Sequence, residues 1–135
     1  MTNRQIKISR IQHVGIPVRD LNVSSDFYKS LGFEQVMKSS FTHEGAEGKV
    51  LMMKSGEVVI EIYQLPVALN KRTAGSIDHI AFDVAGIDEV FQNLKNEGFL
   101  ILEDAPRFLP FWKNGCKFFN ILGPDGERLE FNQIL

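Results

Sequence analysis

Cysteine is nearly absent from this 135-residue chain: Cys116 stands alone. An internal disulfide is excluded, and with it the disulfide-stapled class of small secreted domains. Cys116 lies beside Gly115 and shortly before Phe118-Phe119, outside any cysteine motif, so a buried structural thiol is expected. Long hydrophobic runs are missing as well. None approaches the ~20 apolar residues of a membrane span, and no membrane partner is expected. Residues Met1 to Lys7 lack the apolar core of a secretory signal, which points to a cytoplasmic protein. Charge of one sign is not in excess either: the formal net charge is −2 and the charges are scattered. Without a basic stripe, nucleic acid is not expected as a partner. Histidine is scarce, with only three in the chain, and two of these occupy matching places.

What is present is an ordinary globular balance. Apolar residues make up 44% and charged residues 24%, enough to build a core for one domain or for two closely packed half-domains. One stretch dominates: Ile77-Asp78-His79-Ile80-Ala81-Phe82-Asp83-Val84. Read with period two, Ile80, Phe82 and Val84 share one face and His79, Ala81 and Asp83 the other, the pattern of a strand with one face on a core. Ile11-Gln12-His13-Val14-Gly15-Ile16-Pro17-Val18 repeats it, with His13, Gly15 and Pro17 on the second face. The offset from His13 to Gly32-Phe33 equals that from His79 to Gly98-Phe99. The chain is therefore an internal repeat, and the repeat sets its architecture.

In the first half, Asp20 or Asn22 is available to cap a helix that Gly32 ends. Strands are expected at 33–40, 49–54 and 57–64, with a polar loop at 41–48 that leaves His43 as a solvated loop residue. Ser55-Gly56 marks a hairpin turn. In the second half, a helix is expected at 87–96, with Ile87, Val90, Phe91 and Leu94 at helical spacing. Strands follow near 99–102, at 117–122 and at 127–133, with a long loop over 103–114 and a turn at Gly123-Pro124-Asp125-Gly126. Each half reads as β-α-β-β-β. The modules span 8–66 and 76–135, joined by a linker at 67–75.

The last strand of each half carries a carboxylate against the apolar alternation. Glu61 lies opposite Ile60 and Ile62, and Glu130 opposite Leu129 and Phe131. A carboxylate placed mid-strand is costly to bury without a partner. A cation supplies one: His13, Glu61, His79 and Glu130 form a nitrogen and oxygen donor set suited to Zn, Ni, Co, Mn or Fe as divalent ions. Gly15 and Ala81, beside the histidines, leave room for water or substrate. Asp83 and Asn132 share the histidine face as candidate supporting groups. Met52-Met53 reads as core filling.

These motifs resemble the vicinal oxygen chelate superfamily, which includes glyoxalase I, methylmalonyl-CoA epimerase, extradiol dioxygenases and fosfomycin or bleomycin resistance proteins. The carriers are His-Val-Gly-Ile-Pro-Val-Arg-Asp-Leu at 13–21, Phe27-Tyr28 with Leu31-Gly32-Phe33, Val59-Ile60-Glu61-Ile62, Asp78-His79-Ile80-Ala81-Phe82, and Gly123-Pro124-Asp125-Gly126-Glu127-Arg128-Leu129-Glu130. The resemblance covers nearly the whole chain. It implies an α+β fold of two tandem βαβββ modules forming a cup-shaped mixed sheet. It matches His13, Glu61, His79 and Glu130 to the ligand positions of one divalent metal and implies a homodimer. In glyoxalase I-like dimers each site draws one module from each subunit. Glu at position 61 is similar to bacterial glyoxalase I, whereas epimerases usually have Gln there. Pro17 departs from glyoxalase I, which has at that place the Arg used for the glutathione carboxylate.

The activity so implied is that of a lyase or isomerase moving a proton next to a carbonyl through a metal-stabilised enediolate. Its substrate would be a thiol adduct of a 2-oxoaldehyde or a related 2-oxo or 2-hydroxy compound. Glu130 is the first candidate for the base and Glu61 the second. Arg107, Phe111, Trp112 and Lys113, in the long loop, are the candidate substrate contacts: aromatic walls with cations to hold a carboxylate. The alternatives are a methylmalonyl-CoA-type epimerase, an extradiol dioxygenase, or a non-enzymatic protein that sequesters an antibiotic.

Overall fold

The computed structural model describes Lys7, residues 10–68 and residues 79–135. The chain divides into two compact units, Met1–Leu69 and Asn70–Leu135. The first runs β1 (Val14–Pro17), α1 (Leu21–Ser30), β2 (Glu34–His43), β3 (Ala46–Ser55) and β4 (Val58–Gln64). The second runs β5 (His79–Asp83), α2 (Ile87–Asn96), β6 (Arg107–Leu109), β7 (Cys116–Leu122) and β8 (Arg128–Ile134). The fold is α+β, with the expected βαβββ order in both units. From residue 69 onward the expected linker lies outside the described residues, as do Ile77 and Asp78.

The sheets are built alike, in the orders β1-β4-β3-β2 and β5-β8-β7-β6. In each, the first strand lies parallel to the last and the other pairings are antiparallel. A parallel partner requires a long return path. The helix and the two intervening strands provide it.

Helix α1 starts where Asp20 takes an extended backbone and its carboxylate accepts the N–H groups of Asn22 and Val23, at 2.9 and 3.1 Å. Of the two capping candidates it is therefore Asp20 that caps. The helix turns Leu21, Ser24, Ser25 and Tyr28 inward, and the Tyr28 ring stands edge-on to Phe33. Helix α2 has no side-chain cap. It starts at Gly86, with φ 65°, and places Asp88 and Glu89 in its first turn, where the helix dipole favours negative charge. It buries Ile87, Phe91 and Leu94, with Phe91 edge-on to Phe119 and Phe119 stacked on Phe131. A glutamine at the end of each last strand completes the helix start: Gln64 Oε1 accepts the Leu21 N–H at 2.8 Å, and Gln133 Oε1 the Ile87 N–H at 2.9 Å.

Three sequence expectations are corrected. Residues 41–48 are not a polar loop: β2 and β3 continue through them as a hairpin, and His43 is a half-buried strand residue paired with Ala46. The turn is Glu44-Gly45, both in the left-handed region at φ 49° and 80°, the two-residue geometry that suits strand twist. Gly48 lies opposite Phe41, whose ring covers it, so the glycine that reads as a loop residue makes room for an aromatic.

In the second unit, residues 99–102 form no strand beyond a bridge between Ile101 and Ile121, and the missing strand is β6, inside the expected loop. Strand β7 thus has a divided neighbour. Glu103 fills the break: its carboxylate accepts the Asn120 backbone N–H at 2.6 Å and the Asn120 side-chain amide at 3.0 Å. A ladder donor is satisfied there by a side chain, which no hydropathy pattern announces. Finally, β1 is shorter than expected, and His13 lies immediately before it.

Replacing Asp20 by Ala should lower stability by about 1 kcal/mol, because two first-turn donors lose their acceptor. Asn22→Ala should be nearly neutral. Urea denaturation of the two variants checks this.

Candidate metal centre

The parallel pairing of first and last strands has the same register in both units. Gly15 stands opposite Glu61, and Ala81 opposite Glu130. His13 lies immediately before its unit's first strand and His79 opens its own, so each meets the carboxylate of the last strand. His13 Nε2 lies 3.8 Å from Glu61 Oε2, and His79 Nε2 lies 3.7 Å from Glu130 Oε1. All four side chains are partly exposed, from 15% for Glu130 to 41% for His79.

These separations are longer than a direct hydrogen bond, whose usual N···O distance is about 2.9 Å. They are close to the spacing of two donors on one cation: bonds of ~2.1 Å in tetrahedral array put neighbouring donors about 3.4 Å apart. A small side-chain rotation closes the difference. The tautomer of His13 also suits a ligand. Its Nδ1 is 2.9 Å from Gln12 Oε1, which only accepts, so Nδ1 carries the proton and the Nε2 lone pair faces the carboxylate side. A Cβ at Gly15 would make ordinary contacts, at 3.6 Å, with Glu61 Oε1 and Tyr63 Cε1. The site thus accepts a methyl group there, as Ala81 provides in the other unit.

The family model for the Glyoxalase/Bleomycin resistance protein/Dioxygenase superfamily matches residues 10–131. The chain belongs to this superfamily. It is 32% identical over 126 residues to the uncharacterized protein YwbC of Bacillus subtilis, covering 92% of this chain and 97% of YwbC. Among solved structures, SMU.1112c is similar with a TM-score of 0.78 at 26% identity, covering 93% of this chain and 99% of that one. A mutant of the fosfomycin resistance protein FosX of Listeria monocytogenes, complexed with Mn(II) and 1S,2S-dihydroxypropylphosphonic acid, shares the fold. Its TM-score is 0.68 at 19% identity, with 93% of this chain and 92% of FosX covered.

Within this superfamily fold, each unit brings one His and one Glu together. Among the described residues, no group of three or more His, Cys, Asp or Glu side chains gathers at one place. Of the candidate supporting groups, Asn132 reaches the pair: its Nδ2 donates to Glu130 Oε2 at 3.1 Å. Asp83 points to solvent. Cys116 is fully buried, as expected, with Asn132 Nδ2 3.8 Å from its Sγ. Met53 is core, whereas Met52 lies directly across from Glu61.

The candidate substrate contacts are differently placed than a long loop suggests. Arg107 opens the edge strand β6, and Phe111, Trp112 and Lys113 follow it, all exposed. Trp112 takes a left-handed backbone, φ 64°, and is 69% exposed. Sequence reasoning missed Gln12 and the two helix-tying glutamines. The only signal for the latter was that Gln64 and Gln133 each follow their Glu at the same interval.

His79→Ala should remove bound divalent metal from the purified protein, whereas Gly15→Ala should leave the metal content unchanged. Elemental analysis of the two variants beside the parent chain decides it.

Proposed function

We propose that this protein is a metal-dependent lyase or isomerase of the glyoxalase I type, working as a cytoplasmic homodimer. His13, Glu61, His79 and Glu130 would hold one divalent cation, with Ni, Co or Zn preferred and Mn or Fe also suited to the donor set. The observation that carries this reading is the repeat of the His–Glu pair, at 3.8 and 3.7 Å, in the same register of both sheets. A cation shared by the two pairs would give both carboxylates the partner that a mid-strand charge needs. The Mn(II) in the FosX structure supports a cation in this fold.

The bound cation would supply Lewis acidity toward a substrate carbonyl oxygen. The chain's own groups do the rest. A carboxylate, Glu130 or Glu61, takes the proton from one carbon and returns it to its neighbour. Gly15 and Ala81 keep the space above the carboxylates open. Arg107 and Lys113 hold a substrate carboxylate, and Phe111 and Trp112 cover it once substrate is bound. The substrate class is a thiol adduct of a 2-oxoaldehyde or a related 2-oxo or 2-hydroxy compound. Pro17 leaves no cation where glyoxalase I grips glutathione, so a different thiol is favoured.

The superfamily's name also takes in dioxygenases and resistance proteins. A ring-cleaving dioxygenase needs open positions for substrate and oxygen, and a carboxylate at position 61 occupies one. An epimerase is disfavoured by Glu in place of Gln there. A drug-sequestering protein needs no matched donor pairs.

Metal analysis of the purified protein, with turnover of a panel of thiol hemithioacetals and acyl-CoA epimers, separates these readings. Stoichiometric Ni, Co or Zn with hemithioacetal turnover is the expected outcome. Iron with oxygen consumption, or no metal at all, overturns the proposal. Pro17→Arg should raise kcat/KM for the glutathione hemithioacetal about tenfold, the gain of one charged contact.

A further inference from the structure

The second unit departs from the first just after its helix, and the departure opens a cleft. In the first unit β2 follows the helix as a continuous strand. In the second, residues 99–102 are held to β7 by the Ile101–Ile121 bridge and two backbone bonds. Leu102 N–H donates to Asn120 O at 2.9 Å, and Leu122 N–H to Leu100 O at 3.2 Å. Between this segment and the last turns of α2 lies a cleft of about 370 Å³. That is at the small end of the ~300–1,000 Å³ range of small-molecule sites. None of the four donor residues of the candidate metal centre lines it.

The cleft has an apolar floor and charges of both signs at its rim. Phe91, Phe99 and Ile101 are its buried and half-buried apolar groups, and Phe91 is braced edge-on by Phe119 at 5.2 Å. The exposed Lys95 places its ammonium 5.9 Å from the centre of the Phe91 ring. Glu103 and Asp104 supply two carboxylates. Glu103 is fixed from inside: both its oxygens accept from Asn120, which is only 4% exposed. An ionised carboxylate has about four acceptor sites, so two stay open to an occupant and the group is already ordered to receive it. The repeat does not dictate this lining. Counted from the helix-ending Gly32 and Gly98, Lys29 and Phe33 match Lys95 and Phe99. Ser25, Met37 and Lys38, however, stand where the second unit has Phe91, Glu103 and Asp104. The buried ring and both carboxylates are particular to the second unit.

We infer that this cleft binds a free α-amino acid with an apolar side chain. The side chain rests on Phe91, Phe99 and Ile101. The carboxylate pairs with Lys95, and the ammonium with Glu103 and Asp104. A simple amine would meet Lys95 as a like charge, and a simple acid would meet two carboxylates, and like charges brought together cost affinity. A ligand that carries both charges beside an apolar group satisfies all three charged side chains at once. Burial of the side chain supplies the affinity, and the charges supply the selectivity. This site is separate from the metal centre and does not depend on the reaction proposed above.

The test is titration of the full chain with L-phenylalanine, phenethylamine and phenylpropionate, which share a ring and differ in charge. Calorimetry gives the affinities, and two-dimensional amide NMR spectra place the ligand. L-phenylalanine should saturate one site and move the amide signals of Phe99, Leu100, Ile101 and Glu103. Phenethylamine and phenylpropionate should each bind about tenfold more weakly. Lys95→Met and Asp104→Asn should weaken L-phenylalanine binding by a similar factor, since each removes one charged contact. Melting temperatures establish that both variants are folded. His79→Ala should bind L-phenylalanine as the parent chain does, which separates this cleft from an amino acid chelating a cation at the metal centre. No saturation by L-phenylalanine, equal affinity for the amine or the acid, parental affinity in both cleft variants, or loss of binding in His79→Ala overturns the inference and leaves the proposed function standing.

Discussion

Each unit depends on one pairing: the first strand lies parallel to the last. Without it, His13 and Glu61 would be ends of a long excursion through a helix and two strands, and so would His79 and Glu130. Parallel strands cannot be joined by a tight turn, so the chain must travel before it returns. That travel supplies the helix that covers one face of each sheet. The opposite face carries the His–Glu pair. The glutamines at the strand ends, Gln64 and Gln133, bind the two consequences together by tying the last strand to the first amide of the helix.

The same framework carries two different chemical surroundings. In the first unit the carboxylate stands among Gly15, Met52, Val59 and Tyr63; in the second, among Ala81, Asn120, Arg128 and Asn132. Duplication sets where the carboxylates are. The residues two positions away differ: Asn132 Nδ2 donates to Glu130 Oε2 at 3.1 Å, whereas Tyr63 stands edge-on to Phe41.

Local departures from the repeat are concentrated at the outer strands. The β2–β3 hairpin is long and regular because Glu44-Gly45 adopt the left-handed turn and Phe41 covers Gly48. Its counterpart is broken: β6 is short, residues 99–102 make only a bridge, and the Glu103 carboxylate satisfies Asn120 in the gap. The exposed Phe111-Trp112 turn follows β6, so the irregular edge of the second sheet is also where its large apolar side chains face solvent.

The repeat, the βαβββ order, the helix at 87–96 and the His–Glu candidates were legible in the sequence because each is written as local periodicity or equal spacing. Alternation places Glu61 and Glu130 on the face away from the helices whatever the rest of the chain does. The hairpin over 41–48 and the strand at 107–109 were not legible: the first depends on a glycine covered by a ring from the facing strand, the second on an edge completed by a distant carboxylate. The hydrogen bond from Asn132 to Glu130 belongs to the same class. It arises from an amide that reaches its neighbour only once backbone register and rotamer are both set, and such contacts are properties of packing, not of any stretch of chain.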